Sequence, residues 1–427
     1  MDGREAWTLR PRWFATTDGS WREQAALVIR AGRIAAIANG DEYSELPSLE
    51  LPDAVVLPGL INAHTHLEFS GRTAPIAAPE GSFAQWIRTL VTERRERVQT
   101  MSPEAAAQQR AADTALGAAE AAASGVTTFG EIARPDWPLS TLDGPCDATV
   151  FLELLGLGEE RIEPLLAAAR QHLERARGAS WQAGLSPHAP YTVHPRLAAA
   201  AAELSAASGA PVAMHLAESW DELELLASHS GPLVEVLSEL QAWNPAALPR
   251  GLRPRDYLEL LAAASHALVV HGNFLDAHDW DYLAQRRESM AVVYCPRTHA
   301  SFLPGRYPLL EMLASGVRVV LGTDSRATNP DLDFLAELRW VAARFPELAP
   351  SQLLQMATVD AAIALGRDDE GRIAPGAVAN LTIVRGAAAE RDPWFWLTNA
   401  PDEADVVVRG RLHRHGGVRR LSRDLDD

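Results

Sequence analysis

The middle of the chain, residues 57–366, alternates short apolar runs of strand length with helical segments rich in Ala, Leu, Glu and Arg. The apolar runs lie at 55–61, 126–129, 149–154, 183–186, 212–214, 267–270, 291–294 and 318–321. Helical stretches between them include 103–123, 163–177, 195–208 and 257–264. Eight such units in succession favour an α/β fold with a closed (β/α)8 barrel of the TIM type over an open sheet.

Both ends of the chain are rich in β-like runs instead. Residues 25–38 hold two apolar runs separated by Ala31-Gly32, a pair typical of a tight turn between strands. Residues 381–384 and 405–412 are similar apolar runs. We therefore expect residues 1–56 and 367–427 to pair into one small β-sandwich domain, with the barrel of residues 57–366 inserted between them.

The composition restricts the partners of this protein. Of its 427 residues, 47% are hydrophobic and 22% are charged, as in an ordinary globular protein. The formal net charge of −17 argues against nucleic acid and anionic membrane surfaces as the main partner. We expect a small-molecule substrate. No secretory signal and no membrane-spanning run is visible, so we expect a cytoplasmic protein. The oligomeric state stays open, and a homo-oligomer is one alternative.

One residue type and several motifs are missing, which excludes whole classes of chemistry. Lysine is absent, so there is no Schiff-base lysine, no phosphate-loop lysine and no carbamylated lysine to bridge two metals. Two cysteines, Cys146 and Cys295, cannot form a thiolate zinc site on their own. The dinucleotide-binding, His-Glu-x-x-His and Pro-Cys-x-x-Cys motifs are also missing.

The apolar run at 55–61 leads into His64-Thr65-His66. Side chains at i and i+2 of a β-strand lie on the same face, so both imidazoles would point into one space. Two neutral imidazoles in that arrangement suit a zinc-like ion. The pair alone leaves a metal site and two ordinary core or surface histidines equally open.

Other predicted strands also end in polar residues: Glu131, Glu153, His188, His215 with Glu218, His271, and Asp324. A lone histidine is more often structural than a ligand. In a barrel, however, the carboxyl ends of all strands meet on one face, where active sites lie. Four strand ends with histidine and a fifth with aspartate together favour a metal site.

In this order the motifs resemble the amidohydrolase superfamily, in its cytosine deaminase-like and adenosine-analogue deaminase branch. The resemblance covers nearly the whole chain. It rests on Leu-Pro-Gly-Leu-Ile-Asn-Ala-His64-Thr-His66, His215-Leu-Ala-Glu218, His271-Gly, Leu-Gly-Thr-Asp324-Ser and Gly371-Arg-Ile-Ala-Pro-Gly-Ala-Val-Ala-Asn380-Leu. Asn380 departs from the Asp that relatives usually carry, in the predicted small domain. The motifs are specific for the superfamily and its metal site, and much less so for the substrate.

The resemblance implies a mononuclear hydrolytic site. The ligands of its single divalent ion would be His64, His66, His215 and Asp324. We expect zinc, with iron or manganese as alternatives, and the absence of lysine supports a single metal. Glu218 would be the general acid/base, with a solvated surface glutamate as the alternative. His271 would orient the attacking water, and Asp324 would relay a proton to the leaving amine.

Substrate-binding candidates follow from the same resemblance. The segment from Glu68 and Phe69 to Trp86 resembles the first βα loop of aminofutalosine deaminases, which act in the futalosine route to menaquinone. Its rings would stack on the base and Glu68 would bind sugar hydroxyls, although the rings could equally pack the loop onto the barrel. Ser-Pro-His188-Ala-Pro-Tyr191 matches a segment that contacts base or sugar in purine-nucleoside deaminases.

Arg134 and Arg297 are candidates for binding a carboxylate on the substrate. Arg297 lies in Tyr294-Cys-Pro-Arg297-Thr-His299, which departs from the Cys-Pro-x-Ser-Asn that is commoner in the branch. For both arginines an ordinary salt bridge is the alternative.

These observations predict a metal-dependent hydrolytic deaminase of an adenine-type nucleoside, with aminofutalosine favoured over S-adenosylhomocysteine, methylthioadenosine and adenosine. A hydrolase of a cyclic amide or of a triazine, using the same metal site, is the main alternative. A non-catalytic scaffold is a third hypothesis, and the intact set of polar strand-end residues argues against it.

Overall fold

The computed structural model describes residues 6–414 except for 18, 41, 79–81, 139–143, 304, 387–391, 396 and 398–403. The first strands are β1 (Trp7–Ala15), β2 (Trp21–Glu23), β3 (Ala25–Arg30), β4 (Arg33–Asn39) and β5 (Ser48–Pro58). The turn expected at Ala31-Gly32 joins β3 to β4 as an antiparallel pair. Both turn residues have positive φ, 49° and 76°, which the glycine adopts without strain.

Eight parallel strands follow: β6 (Leu60–Thr65), β7 (Val126–Ala133), β8 (Asp147–Leu154), β9 (Gln182–Pro187), β10 (Val212–Leu216), β11 (Ala267–His271), β12 (Met290–Tyr294) and β13 (Val319–Leu321). Each strand pairs with the next in chain order. A parallel bridge between Thr65 and Asp324 then joins the end of β6 to the residues that follow β13. The strands therefore form a nearly closed barrel, which confirms the predicted fold class.

The helices are α1 (Phe83–Thr100), α2 (Pro103–Ala123), α3 (Ile162–Arg175), α4 (Pro195–Ser208), α5 (Trp220–Ser228), α6 (Pro232–Glu239), α7 (Pro254–Leu261), α8 (Ala277–Ala284), α9 (Pro296–Phe302), α10 (Leu309–Ala314), α11 (Phe334–Arg344), α12 (Pro350–Met356) and α13 (Val359–Ala364). The predictions at 103–123 and 195–208 match α2 and α4. Each begins with a side-chain cap, Ser102 or His194, followed by proline. In the part of the chain that the structure describes, no helix is long and apolar enough to cross a membrane.

The predicted helix at 257–264 begins earlier than expected, at Pro254 of α7. Proline favours the first helical position because its missing N–H is not needed there. The short helix keeps Tyr257, Leu258 and Leu261 buried on its inner face.

The last strands are β14 (Leu381–Arg385), β15 (Asp405–Val408) and β16 (Arg411–His413). They return to the N-terminal strands, and the sheet order is β16-β15-β14-β5-β1-β3-β4, with β2 on β1. The pair β1–β5 is parallel and β14–β5 is antiparallel, so the two ends of the chain form one mixed sheet. Its core includes Trp7, Phe14 and Ile383. This confirms that strands from both ends of the chain combine into one sheet, while the predicted domain boundaries stay a prediction.

The apolar run at 55–61, predicted as one strand, is divided between the two sheets. It belongs to β5 up to Pro58 and to β6 from Leu60 onwards. Gly59 lies between them, where a Cβ atom would be 2.2 Å from Oγ1 of Thr127 and 2.9 Å from the carbonyl of Asn380. Because the backbones approach so closely, only glycine fits. Apolar residues flank Pro58-Gly59 on both sides, so this dipeptide, which is typical of a turn, was the signal in the sequence that could have shown the break.

Candidate metal centre and active site

The four predicted metal ligands meet at the carboxyl end of the barrel. His64 and the neighbouring His66 lie at the end of β6, His215 lies in β10, and Asp324 follows β13. Nε2 of His66 is 3.3 Å from Nε2 of His215. Oδ1 of Asp324 is 3.7 Å from Nε2 of both His64 and His66. Ligands in a tetrahedral zinc site are about 3.4 Å apart, so these atoms can surround one ion.

The chemistry of these side chains fits a divalent cation. Burial lowers the pKa of His64 to about 3. Burial and the neighbouring histidines hold the pKa values of His66 and His215 well below the usual range. Neutral imidazole is the form that binds a metal. Both ring nitrogens of His64 are buried without a hydrogen-bond partner among the described residues, and an ion would satisfy one of them.

The backbone of His188 orients His215. Nδ1 of His215 lies 3.0 Å from the carbonyl oxygen of His188, and since that oxygen can only accept, Nδ1 carries the proton. Nε2 is then unprotonated and faces His66. The ring of His188 is 4.9 Å from that of His215, so this predicted substrate-binding residue also lies at the site. Its Nε2 is 3.9 Å from Oε1 of Glu153, the strand-end residue of β8.

Two threonine hydroxyls hold the second oxygen of Asp324. Oδ2 lies 3.3 Å from Oγ1 of Thr298 and 3.0 Å from Oγ1 of Thr328. Oδ1 is left facing the histidines. Neither threonine was predicted from the sequence, because Thr298 comes from α9 and no local pattern shows that it faces Asp324.

Three residues at the site have a left-handed backbone: φ is +54° at Ala217, +69° at His271 and +60° at Asp324. Such conformations cost a non-glycine residue about 1–3 kcal/mol and cluster at functional sites. Hydrogen bonds offset this cost, as where the Tyr307 hydroxyl donates to the carbonyl oxygen of His271 at 2.8 Å.

Glu218 and His271 face each other beside the predicted ligands. Oε1 of Glu218 is 3.4 Å from Nε2 of His271. Burial, and then the charges of Asp324 and Glu222, raise the pKa of Glu218 well above its usual range. Burial lowers the pKa of His271 well below its usual value, so its ring is neutral. A carboxyl group with a raised pKa can both accept and deliver a proton near neutral pH.

A cavity of ≈ 300 Å³ borders Glu218. Its aromatic wall consists of Phe83, Trp220 and Phe302, and its polar wall includes Asn273, Thr298 and His299. A mostly apolar cavity with a few polar groups is typical of a small-molecule site.

The first βα loop brings Glu68 and Phe69 to the site. The ring of Phe69 lies 6.3 Å from that of His66. Glu68 forms an ion pair with Arg94 of α1, whose guanidinium lies over Phe69, 4.9 Å from the ring centroid. Arg94 was not predicted as a site residue from the sequence, although its spacing from the apolar residues of α1 indicated that it faces inwards. It shares the inward face of the helix with Phe83, Ile87 and Leu90.

Trp86 packs the same loop onto the barrel. Its Nε1 donates to the carbonyl oxygen of Ala327 at 3.2 Å. Its ring stacks on Phe83 with centroids 6.0 Å apart and meets Phe302 edge-on at 5.6 Å. These contacts favour the packing alternative for Trp86, while Phe83 and Phe302 line the cavity.

The contacts of Arg297 do not support the predicted role of this arginine as a partner for a substrate carboxylate. Its Nε lies 2.6 Å from Oε1 of Glu337, and its Nη2 lies 2.7 Å from Oδ1 of Asp331. Two protein carboxylates already neutralise this buried guanidinium, which corrects the expectation in favour of an ordinary ion pair. Arg134 is half-buried, with Nε 3.7 Å from Oδ1 of Asp136. That longer contact leaves its predicted role open.

A model of the amidohydrolase family matches residues 55–413. This chain belongs to the amidohydrolase family. It is accordingly a hydrolytic enzyme that acts on carbon–nitrogen bonds. The matched span takes in the whole barrel and the strands β14 to β16 of the mixed sheet.

Two relatives are similar to this chain over most of their length. The aminodeoxyfutalosine deaminase of Deinococcus radiodurans is 30% identical over 361 residues, which cover 79% of this chain and 81% of that protein. The 5-methylthioadenosine/S-adenosylhomocysteine deaminase of Pelotomaculum thermopropionicum is 29% identical, covering 86% of this chain and 82% of the relative.

Solved structures share the fold. The aminofutalosine deaminase of Helicobacter pylori superimposes with a TM-score of 0.81 at 21% identity, over 96% of this chain and 100% of that one. The zinc complex of the atrazine chlorohydrolase of Arthrobacter aurescens gives a TM-score of 0.76 at 20% identity, over 95% and 94% of the two chains. At these identities the likeness establishes the architecture alone.

Proposed function

We propose that this protein is a metal-dependent hydrolytic deaminase of an adenine-type nucleoside, with aminofutalosine as the favoured substrate and menaquinone biosynthesis as its setting. The observation that carries the proposal is the position of Glu218, whose Oε1 lies 3.4 Å from Nε2 of His271 and which lines a cavity of ≈ 300 Å³. The names of the relatives from Deinococcus radiodurans and Pelotomaculum thermopropionicum support an adenine nucleoside as substrate.

The proposed metal ligands are His64, His66, His215 and Asp324. A bound divalent ion, with zinc favoured over iron and manganese, supplies a nucleophilic water near neutral pH. The neutral, buried imidazoles are the chain's contribution, because they bind a cation without first losing a proton. Thr298 and Thr328 hold one oxygen of Asp324 and leave the other free to bind.

Glu218 is the proposed proton carrier. It takes a proton from the attacking water and delivers it to a ring nitrogen next to the carbon that carries the amino group. As the new carbon–oxygen bond forms, the ring carbon becomes tetrahedral. Asp324 then passes the second water proton to the amino group, and ammonia leaves as the carbon–nitrogen bond breaks. The neutral ring of His271 orients the water for this attack.

Glu68, Phe69 and His188 are the residues we propose for substrate binding, with Arg134 as a further candidate. Glu68 would accept hydrogen bonds from sugar hydroxyls, and Phe69 would contact the base. The ring of His188 lies 4.9 Å from that of His215, and we propose that it contacts a ring nitrogen of the base. Trp86 contributes by holding Phe83 at the cavity wall.

Ammonia release from a nucleoside panel tests the proposal. The panel contains aminofutalosine, adenosine, 5′-methylthioadenosine and S-adenosylhomocysteine, together with a cyclic amide and a chlorotriazine. We expect release of ammonia and conversion of adenine to hypoxanthine, with the highest kcat/KM for aminofutalosine. Turnover of the triazine or the cyclic amide without any purine turnover would overturn the proposal.

A further inference from the structure

Glu222 lies behind Glu218 and binds the backbone of the segment that carries it. Oε1 of Glu222 accepts from the N–H of Ala217, and Oε2 accepts from the N–H of Glu218, both at 2.9 Å. The Glu222 side chain is completely buried. We infer that Glu222 is a positioning residue that fixes the carboxyl group of Glu218 relative to the substrate. This inference rests on the proposed function, in which Glu218 is the acid/base.

The contact differs from ordinary helix capping. Ser219 caps α5 by accepting from the N–H of Glu222 at 3.2 Å. In a capping box the glutamate at this position would return to the N–H of the cap residue. Here its carboxylate also reaches the two residues before the cap, Ala217 and Glu218, each at 2.9 Å. The Glu222 side chain therefore binds the segment that carries Glu218. Ordinary capping would involve only the end of its own helix, α5.

The residues after β11 hold the opposite side of the same segment. The carbonyl oxygens of Leu216 and Ala217 accept from the N–H groups of Gly272 and Phe274, each at 3.1 Å. The carbonyl oxygen of Glu218 accepts from Nδ2 of Asn273 at 2.9 Å. Both backbone polar groups of Glu218 are thus bonded, so its side chain leaves the backbone at a defined place. The left-handed φ of +54° at Ala217 is stabilised by the same bonds.

A carboxylate suits this role because each of its two oxygens accepts one N–H. Glutamine has nearly the same shape but accepts at one oxygen only, and its NH2 group would face an N–H donor. Glu222→Gln therefore breaks one of the two bonds and leaves an unfavourable donor–donor contact. The segment should then shift while the metal ligands stay in place.

The test measures metal content, kcat and KM of Glu222→Gln on the adenine nucleoside that the wild type turns over. A displacement of about 1 Å at a reacting group costs roughly 100-fold in rate, so we expect kcat to fall roughly 10- to 100-fold. KM should stay within about twofold, and metal content should be unchanged, since Glu222 binds no substrate or metal in this arrangement. If Glu222→Gln does not fold, Asn273→Ala loosens the same segment from the other side and should lower kcat likewise.

Glu370→Gln is the matched control. Glu370 is also buried and accepts from Oγ1 of Thr128 at 2.8 Å and Nε of Arg367 at 2.9 Å, close to the start of β7 and so far from the strand ends that carry the site. This control should lower Tm without changing kcat. If Glu222→Gln behaves like the control, or if kcat, KM and metal content all change together, Glu222 is a structural residue and the inference is overturned.

Amide hydrogen exchange separates this inference from the proposed function, because it needs no substrate. In Glu222→Gln the amides of Ala217 and Glu218 should lose protection, while those of β10 keep theirs. Unchanged exchange at both amides would refute the positioning role of Glu222 even if the wild type deaminates adenosine. Absence of purine turnover by the wild type would refute the proposed function. Lost protection at these two amides would still show that Glu222 holds the backbone of Ala217 and Glu218.

Discussion

Asp324 and His64 are joined by a backbone hydrogen bond in which the N–H of Asp324 donates to the carbonyl oxygen of His64 at 3.1 Å. His64 belongs to the first barrel strand and Asp324 follows the last, so the contact that brings the barrel ends together also places two predicted ligands side by side. Oδ1 of Asp324 is consequently 3.7 Å from Nε2 of His64. Barrel closure and metal binding should therefore depend on each other.

Asp324→Ala should abolish both metal binding and turnover. The substitution removes the one anionic ligand and leaves three neutral imidazoles, which bind a divalent ion more weakly. Metal analysis of the purified variant beside the wild type checks this. A full equivalent of metal in Asp324→Ala would exclude this residue from the ligand set.

Glu218→Gln should keep its metal and lose turnover by several orders of magnitude. The amide has the size of the carboxyl group but carries no proton between water and substrate. Metal analysis and steady-state kinetics on the same preparation test the two halves separately. Turnover close to that of the wild type would remove Glu218 from the proton-transfer role.

Arg297→Met should destabilise the protein without raising KM. It leaves the carboxylate of Glu337 buried and unpaired, since the side chains of Arg297 and Glu337 are only 13% and 0% exposed. Breaking a buried pair in this way lowers the free energy of unfolding by about 3–5 kcal/mol. Urea unfolding measures the loss, and the double variant with Glu337→Gln should regain part of it. A raised KM with unchanged stability would return Arg297 to substrate binding.

Arg94→Met should raise KM about tenfold, which corresponds to ~1.4 kcal/mol. Arg94 pairs with Glu68 and lies over Phe69, so its loss frees both residues proposed to bind the nucleoside. Kinetics with adenosine and with 2′-deoxyadenosine sharpen the test. The effect should be smaller for the deoxynucleoside if Glu68 binds the 2′-hydroxyl, and an equal effect on both would count against that contact.

His172 should make the stability depend on pH below about 6.5, its unfolded value. Burial lowers the pKa of His172, which lies 2.8 Å from the carbonyl oxygen of Val150. As pH falls below about 6.5, the unfolded chain binds a proton that the folded protein does not, so stability is lost. Urea unfolding at pH 7.5 and 5.5 should show a larger loss for the wild type than for His172→Gln. An equal loss of stability in the wild type and in His172→Gln would show that His172 is not the source of this pH dependence.

The alternation of strand and helix patterns was sufficient to predict the barrel. Strand ends that are far apart in the chain meet on one face of a parallel barrel, so polar residues after apolar runs can be assigned to one place without coordinates. His66 and His215 illustrate this, since 3.3 Å separates two atoms from the first and fifth barrel strands.

The sequence by itself determined the fold class, because that follows from local periodicity and strand order. The predicted ligands and the role of Glu218 came from the resemblance of the motifs to a known family, and they stay predictions. Only the tertiary structure decided which side chains pair with one another. One apolar run is divided between two sheets at Gly59. Arg297 pairs with Glu337, and Arg94 pairs with Glu68. Glu222 also lies behind Glu218. Such contacts depend on how loops from different elements pack in three dimensions. The spacing of residues along the chain does not predict this packing.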